Sequence, residues 1–201
     1  MTPTGYRFEA RRIYRMPTHF GPAPGPRQMP DGMPTAPASN PQRLSVATRF
    51  LTDAARLEAH LPEGFALSGE PVVTVEFHYL TGIDWLAGRG YTMVQVSWPA
   101  SFAGREDKAS GRFLAVIWEN LTDPVITWRD EIGHPKLYAD IPTPRTWDGA
   151  HLCSAGWLGF RFLDIEVSGL RDISPDAPPP DDILMLKYVP RTGAWGEADL
   201  C

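Results

Sequence analysis

Val72–Tyr79 alternates with a period of two, setting Val73, Val75, Phe77 and Tyr79 against Val72, Thr74, Glu76 and His78. A chain built on such a segment must bury one face of a sheet, because helical spacing would scatter the same residues around a cylinder. Glu76 and His78 then project together, away from the aromatic face. Two more stretches alternate. Leu44–Leu51 sets Leu44, Val46, Thr48 and Phe50 against Ser45, Ala47 and Arg49, and Tyr91–Trp98 sets Thr92, Val94, Val96 and Trp98 against Tyr91, Met93, Gln95 and Ser97.

Apolar runs at Gly111–Trp118, Val125–Trp128, Leu152–Val167 and Ile183–Val189 continue the series. Thr122-Asp123-Pro124 reads as a turn between the first two, and Gly156 and Gly159 divide the third into two strands. The pattern predicts one short helix, Ala54–His60, capped by Thr52 or Asp53 and ended by Pro62 and Gly64. Several strands with few helices and many Gly/Pro turns, in a chain with 21 Pro and 18 Gly, make the expected fold class all-β or β-dominated α+β.

Pro and Gly crowd Met16–Pro41 so closely that neither a helix nor a ladder persists there. Residues 1–42 are expected to be a Pro/Gly-rich arm, with Tyr6, Phe8, Ile13 and Tyr14 available to pack, and residues 43–201 a single domain. A net charge of -5 excludes a sequence-independent nucleic-acid partner. No stretch has the apolar length of a signal peptide or a membrane span, so a cytoplasmic protein without a membrane partner is expected. Cys153 and Cys201 form no CxxC motif, although one bridge between them stays open. His134 and His151 with Asp140 or Asp148 lack metal-ligand spacing, and P-loop, GxGxxG and GxSxG motifs are absent, so no metal or cofactor is expected. The seven Trp are expected mainly in the core.

Lysine is scarce: Lys108, Lys136 and Lys187 stand against sixteen Arg. Lys108 lies in the polar run Gly104–Ser110, whereas Lys136 sits between Pro135 and Leu137-Tyr138. An apolar flank is what a nucleophilic Lys needs, since desolvation disfavours the ammonium and leaves an amine that attacks carbonyls. Arg stays protonated and cannot take this role. The ordinary alternative is a loop Lys with its amine in water.

Arg129-Asp130-Glu131-Ile132-Gly133-His134-Pro135-Lys136 resembles the active-site segment of the acetoacetate decarboxylase superfamily, which reads Arg-acid-x-x-small-aromatic-Pro-Lys. Leu51-Thr52-Asp53, Leu61–Phe65, Glu70–Glu76 and Met185–Gly193 are similar to family segments in the same order, so the resemblance runs from about Arg43 to the C-terminus. It implies a curved, partly open β-barrel with few short helices and an interior pocket. It also implies that Lys136 forms an imine with a small or medium oxo-acid, that Glu76 is a pocket carboxylate, and that Arg43 faces the substrate carboxylate. The implied activity is that of a decarboxylase-like carbon-carbon lyase. His134 takes the family's aromatic place.

Two positions depart from the decarboxylase branch. Met93 stands where a pocket carboxylate is found, and Leu137 where a second Lys follows the nucleophile, which leaves burial alone to activate Lys136. An aldolase or dehydratase using the same imine, or a non-catalytic small-molecule or lipid-binding barrel, are the alternatives. The family continues for several strands past the segment matching Lys187–Gly193, so an unpaired edge is expected, with homo-oligomerisation as one consequence.

Overall fold

The computed structural model describes residues 41–171 and 181–201, together with residues 5, 7–10, 14, 16 and 18. Most of the arm expected over 1–42 therefore lies outside the described residues, as do residues 172–180. The chain divides into two compact units, Met1–Arg43 with Leu80–Tyr91, and Leu44–Tyr79 with Thr92–Cys201.

The elements in order are β1 (Gln42–Leu51), α1 (Ala54–Glu58), β2 (Phe65–Leu67), β3 (Val72–Ile83), β4 (Arg89–Ala103), β5 (Lys108–Glu119), α2 (Thr122–Ile132), β6 (Lys136–Tyr138), β7 (Arg145–Trp147), β8 (Ala150–Trp157), β9 (Phe160–Val167), β10 (Ile183–Leu184), β11 (Val189–Pro190) and β12 (Ala198–Leu200). Seven strands make one sheet with the path β1-β3-β4-β5-β10, extended by β2 beside β4 and β6 beside β5. A second sheet holds β7-β8-β9, and β11 pairs with β12. Among the described residues the main path does not close on itself. The β-dominated, partly open fold expected from the sequence is the one observed.

Alternation in β3 buries Val73, Val75, Phe77 and Tyr79, as the sequence pattern requires. They meet Val94 and Trp98 of β4, Phe113 of β5, and Cys153 and Ala155 of β8 in one core, in which Phe77 and Val94 are fully enclosed. The β8–β9 turn, Leu158-Gly159, has both φ angles positive (48° and 82°) between the paired residues Trp157 and Phe160. That is the two-residue geometry whose twist matches the flanking strands.

One irregularity decides which side chains share a face. Along β4 and β5, Val96 opposes Val116 but Ser97 opposes Leu114, so Ala115 is an extra residue on β5. A bulge of this kind shifts the alternation by one. Phe113 and Trp118 consequently both serve the core face, while Arg112, Leu114, Ile117 and Glu119 all project to the other side.

Three expectations need correction. Thr122-Asp123-Pro124 is not a turn but the start of α2, where the missing Pro N–H costs nothing because the first four helical N–H groups have no intrahelical acceptor. The last strand does not run from Ile183 to Val189: it ends at Leu184, because Lys187 turns to the end of α2 and donates to the Asp130 and Glu131 carbonyls at 2.8 and 3.0 Å. Trp98 is buried, yet Trp147, Trp157 and Trp195 are exposed. Cys153 and Cys201 are both free thiols. No helix among the described residues is long and apolar enough to cross a membrane.

Removing the aromatic ring at the centre of the β3 face should be costly. Phe77→Ala is expected to lower stability by about 3–5 kcal/mol, read as a shift in the urea midpoint at constant slope. A variant as stable as wild type would contradict this core.

Candidate active site

Lys136 opens β6 and pairs in parallel register with Ile117 of β5, whose N–H donates to the Pro135 carbonyl at 2.9 Å. Its position follows from the end of α2. Gly133 takes a left-handed conformation (φ 80°), and the N–H groups of Gly133 and His134 turn back to the Arg129 and Trp128 carbonyls. A Cβ at Gly133 would also collide with Cβ and Cγ of Lys187. Pro135 cannot continue the helix, and the chain enters the sheet at Lys136.

The Lys136 side chain is sealed beneath α2, with 4% exposure. Nζ donates to Glu119 Oε1 at 2.5 Å and to the Pro124 carbonyl at 3.1 Å. The centre of the Trp128 ring lies 5.6 Å from Nζ, and His134 stands edge-on to that ring at 5.2 Å. Glu119 is itself fully buried.

Burial is thus not the only influence on Lys136. Burial favours the neutral amine, but the Glu119 carboxylate, the Pro124 carbonyl and the Trp128 face all favour the ammonium. Leu137, the position expected to govern the amine, is about half exposed and points to the opposite face of β6. The group in contact is Glu119. It escaped the sequence reading because it sits one residue past an apolar run, where a carboxylate reads as a strand end, and because the Ala115 bulge hides its face. Its cross-strand neighbour is Met93, the position where the resemblance finds a carboxylate missing.

Glu76 projects from β3 away from the core, as alternation predicts. It accepts hydrogen bonds from Gln95 Nε2 at 2.8 Å and Arg112 Nη1 at 2.9 Å, and Arg112 also reaches Ser97 Oγ at 3.3 Å. Burial alone would raise the Glu76 pKa, but the bonds from Gln95 and Arg112 and the Arg112 charge outweigh it and lower the pKa. Gln95 opposes Ile117, which in turn opposes Lys136, so Glu76 and Lys136 share one face of the sheet. Two strands stand between them, roughly 14 Å of sheet. Glu76 therefore engages Arg112 rather than Lys136. Beside it, His78 Nδ1 lies 2.8 Å from Ser45 Oγ. Arg43 is exposed at the start of β1 and belongs to the other unit. Arg112 and Gln95 were not anticipated.

A cleft of about 390 Å³ opens at the edge of β5 beside Lys136, walled by Val116, His134, Leu137, Leu186 and Tyr188. A larger hollow of about 550 Å³ lies over β7–β9 and contains none of these residues. Among the described residues no group of three or more His, Cys, Asp or Glu is placed to hold a metal ion.

The family profile described as acetoacetate decarboxylase (ADC) matches residues 15–201, starting ahead of Arg43. The chain belongs to the acetoacetate decarboxylase family. An acetoacetate decarboxylase from Legionella pneumophila subsp. pneumophila str. Philadelphia 1 shares its fold, with a TM-score of 0.58 at 19% identity over 75% of this chain and 58% of that one. The enduracididine biosynthesis enzyme MppR with bound HEPES gives 0.59 at 16% identity, over 82% and 70%. MppR complexed with the condensation product of pyruvate and imidazole 4-carboxaldehyde gives 0.54 at 17% identity, over 68% and 57%. The chain thus spans little more than half the length of the Legionella enzyme. No curated protein matches it.

In this acetoacetate decarboxylase family member, His134 behaves as the aromatic residue expected at its position. Burial and the adjacent Lys136 charge depress its pKa to about 4, so the ring is neutral at pH 7. An unfolded His titrates near 6.5. The unfolded chain therefore binds a proton that the native state refuses, and stability is lost as pH falls from about 6.5 towards 4. His134→Phe should flatten this loss, as measured by urea unfolding at pH 7 and pH 4.5. Gly133→Ala combines a left-handed strain with the Lys187 collision, and should cost about 2–4 kcal/mol in the same assay.

Proposed function

We propose that the chain is a lysine Schiff-base lyase acting on a small or medium oxo-acid, with Lys136 as the nucleophile. The observation that carries this reading is the burial of Lys136 at the end of the Gly133-His134-Pro135-Lys136 segment of a family member. The neutral amine adds to the substrate ketone, water leaves, and the protonated imine accepts the electron pair of the breaking carbon-carbon bond. In the decarboxylating version carbon dioxide departs, the carbanion equivalent takes a proton, and water releases the ketone. Glu76 serves as a pocket carboxylate and Arg43 meets the substrate carboxylate, both roles resting on the resemblance. Bidentate pairing suits a guanidinium to that task.

A second reading keeps the imine and changes the bond made or broken. MppR, a relative in fold, has been solved with a condensation product of pyruvate. An aldolase or dehydratase outcome is consistent with that complex and with Met93 at the carboxylate position.

The test is borohydride reduction in the presence of a panel of oxo-acids, followed by intact-mass analysis. Wild type should gain one reduced adduct, and Lys136→Ala and Lys136→Arg none, leaving Lys108 and Lys187 unmodified. An adduct that survives Lys136→Ala, or no adduct with any oxo-acid, would favour a non-catalytic binding barrel instead.

A further inference from the structure

The amine that attacks a ketone must first lose a proton, and four groups near the Lys136 ammonium bear on where it can go: Pro124, Trp128, His134 and Glu119. The Pro124 carbonyl, 3.1 Å from Nζ, accepts a hydrogen bond but has no basicity to keep the proton. Trp128 offers only its ring face, 5.6 Å away. His134 is turned against Trp128, its pKa is held down to about 4, and its Nδ1 finds no hydrogen-bond partner among the described residues. Glu119 alone of the four combines contact with basicity, with Oε1 2.5 Å from Nζ and side-chain exposures of 0% for Glu119 and 3% for Lys136.

We propose that Glu119 is a catalytic residue of the imine-forming step, taking the proton that Lys136 loses before attack and returning it to the hydroxyl that leaves. The inference rests on the Schiff-base reading of Lys136. In water, passing a proton from an ammonium to a carboxylate is unfavourable by about six pKa units. Burial raises a carboxyl and lowers an amine, so the sealed pair narrows that gap. The transfer converts two buried charges into two neutral groups without water.

The protons balance. Glu119 removes one proton from the ammonium, and the amine forms the new carbon-nitrogen bond as the carbonyl π pair moves onto oxygen. A proton passes from nitrogen to that oxygen, giving the neutral carbinolamine. Glu119 then protonates the hydroxyl, which departs as water while the nitrogen lone pair closes the imine. The net reaction consumes the ketone and the ammonium, yields the iminium and water, and restores the Glu119 carboxylate. The register adds a structural reason: Glu119 stands directly across the ladder from Met93, so this face carries its carboxylate on β5.

Met93 of β4 and Ile117 of β5 stand level with the pair, Pro124 and Trp128 of α2 and His134 of the link lie against it, and Arg129, Lys187 and Tyr188 line the cleft beside Lys136. His134, with a pKa of about 4, stays neutral above pH 5. The pH dependence of imine formation therefore reports on the pair. The measurement is the initial rate of adduct formation with pyruvate, by rapid quench into borohydride and intact mass, between pH 6 and pH 8. Proton transfer within the pair makes the wild-type rate nearly independent of pH. Glu119→Gln keeps an acceptor oxygen for Nζ but no base, so its rate should fall about 100-fold or more at pH 7 and climb about tenfold per pH unit. Glu119→Asp should lie between the two.

A wild-type rate that itself climbs tenfold per pH unit would overturn the role of Glu119 without any variant, since solvent would then be deprotonating Lys136. So would a folded Glu119→Gln as fast as wild type or faster, which would make Glu119 a counter-ion that restrains the amine. If wild type forms no adduct with pyruvate or longer 2- and 3-oxo acids, the Schiff-base reading itself fails, a result distinct from either of these.

Discussion

An ammonium cannot be sealed under a helix without an anion, and the contact between Lys136 and Glu119 is the constraint on which the local architecture depends. Each ion alone would face a desolvation cost of several kcal/mol, and removing either partner from such a pair typically costs about 3–5 kcal/mol. For the two to meet, β6 must dock parallel to β5 with Lys136 level with Ile117, and Glu119 must project to the same side. The first condition is set by Gly133 and Pro135, which end α2 and aim the chain at the sheet edge. Lys187 then closes the helix end by binding its last carbonyls.

The second condition is set by one extra residue. Without the bulge at Ala115, strict alternation from Phe113 would place Trp118 opposite the core and send Glu119 into it. The bulge lets β5 serve the aromatic core with Phe113 and Trp118 while presenting Arg112 and Glu119 on the polar side. Packing and chemistry are coupled at this point: a shift in register would bury two charges among the aromatic residues of β3 and expose the rings that enclose Phe77.

What the sequence made legible follows from these local rules. Period-two alternation in Val72–Tyr79 and Tyr91–Trp98 gave the core face, because side-chain direction in an unbulged strand depends on nothing distant. The Asp53 cap and the division of Leu152–Val167 into two strands near Gly159 are likewise local, since a cap and a short hairpin turn are decided within a few residues. The helix α2 was not legible, as Thr122-Asp123-Pro124 is chemically equally suited to a turn and to a helical first turn. Nor was the early end of β10, which depends on Lys187 finding carbonyls 56 and 57 residues away. Lys136 stood out by its scarcity and setting. Its partner did not, because the face of Glu119 is fixed by a bulge that only the β4–β5 pairing reveals.

Two carboxylate–cation pairs on one face of the sheet differ in a way that separates their chemistry. Glu76 and Arg112 keep side-chain exposures of 18% and 15%, so solvent still reaches both. A guanidinium stays charged, and the bonds from Arg112 and Gln95 hold Glu76 as an anion. Glu119 faces an ammonium, which unlike a guanidinium can reach its neutral form when buried, and both side chains are shielded from solvent. A single environment type would leave two equivalent carboxylates. Pairing one with Arg and the other with Lys instead gives a fixed charge at Glu76 and, in the role proposed for Glu119, a proton that can move, at two places on the face separated by two strands.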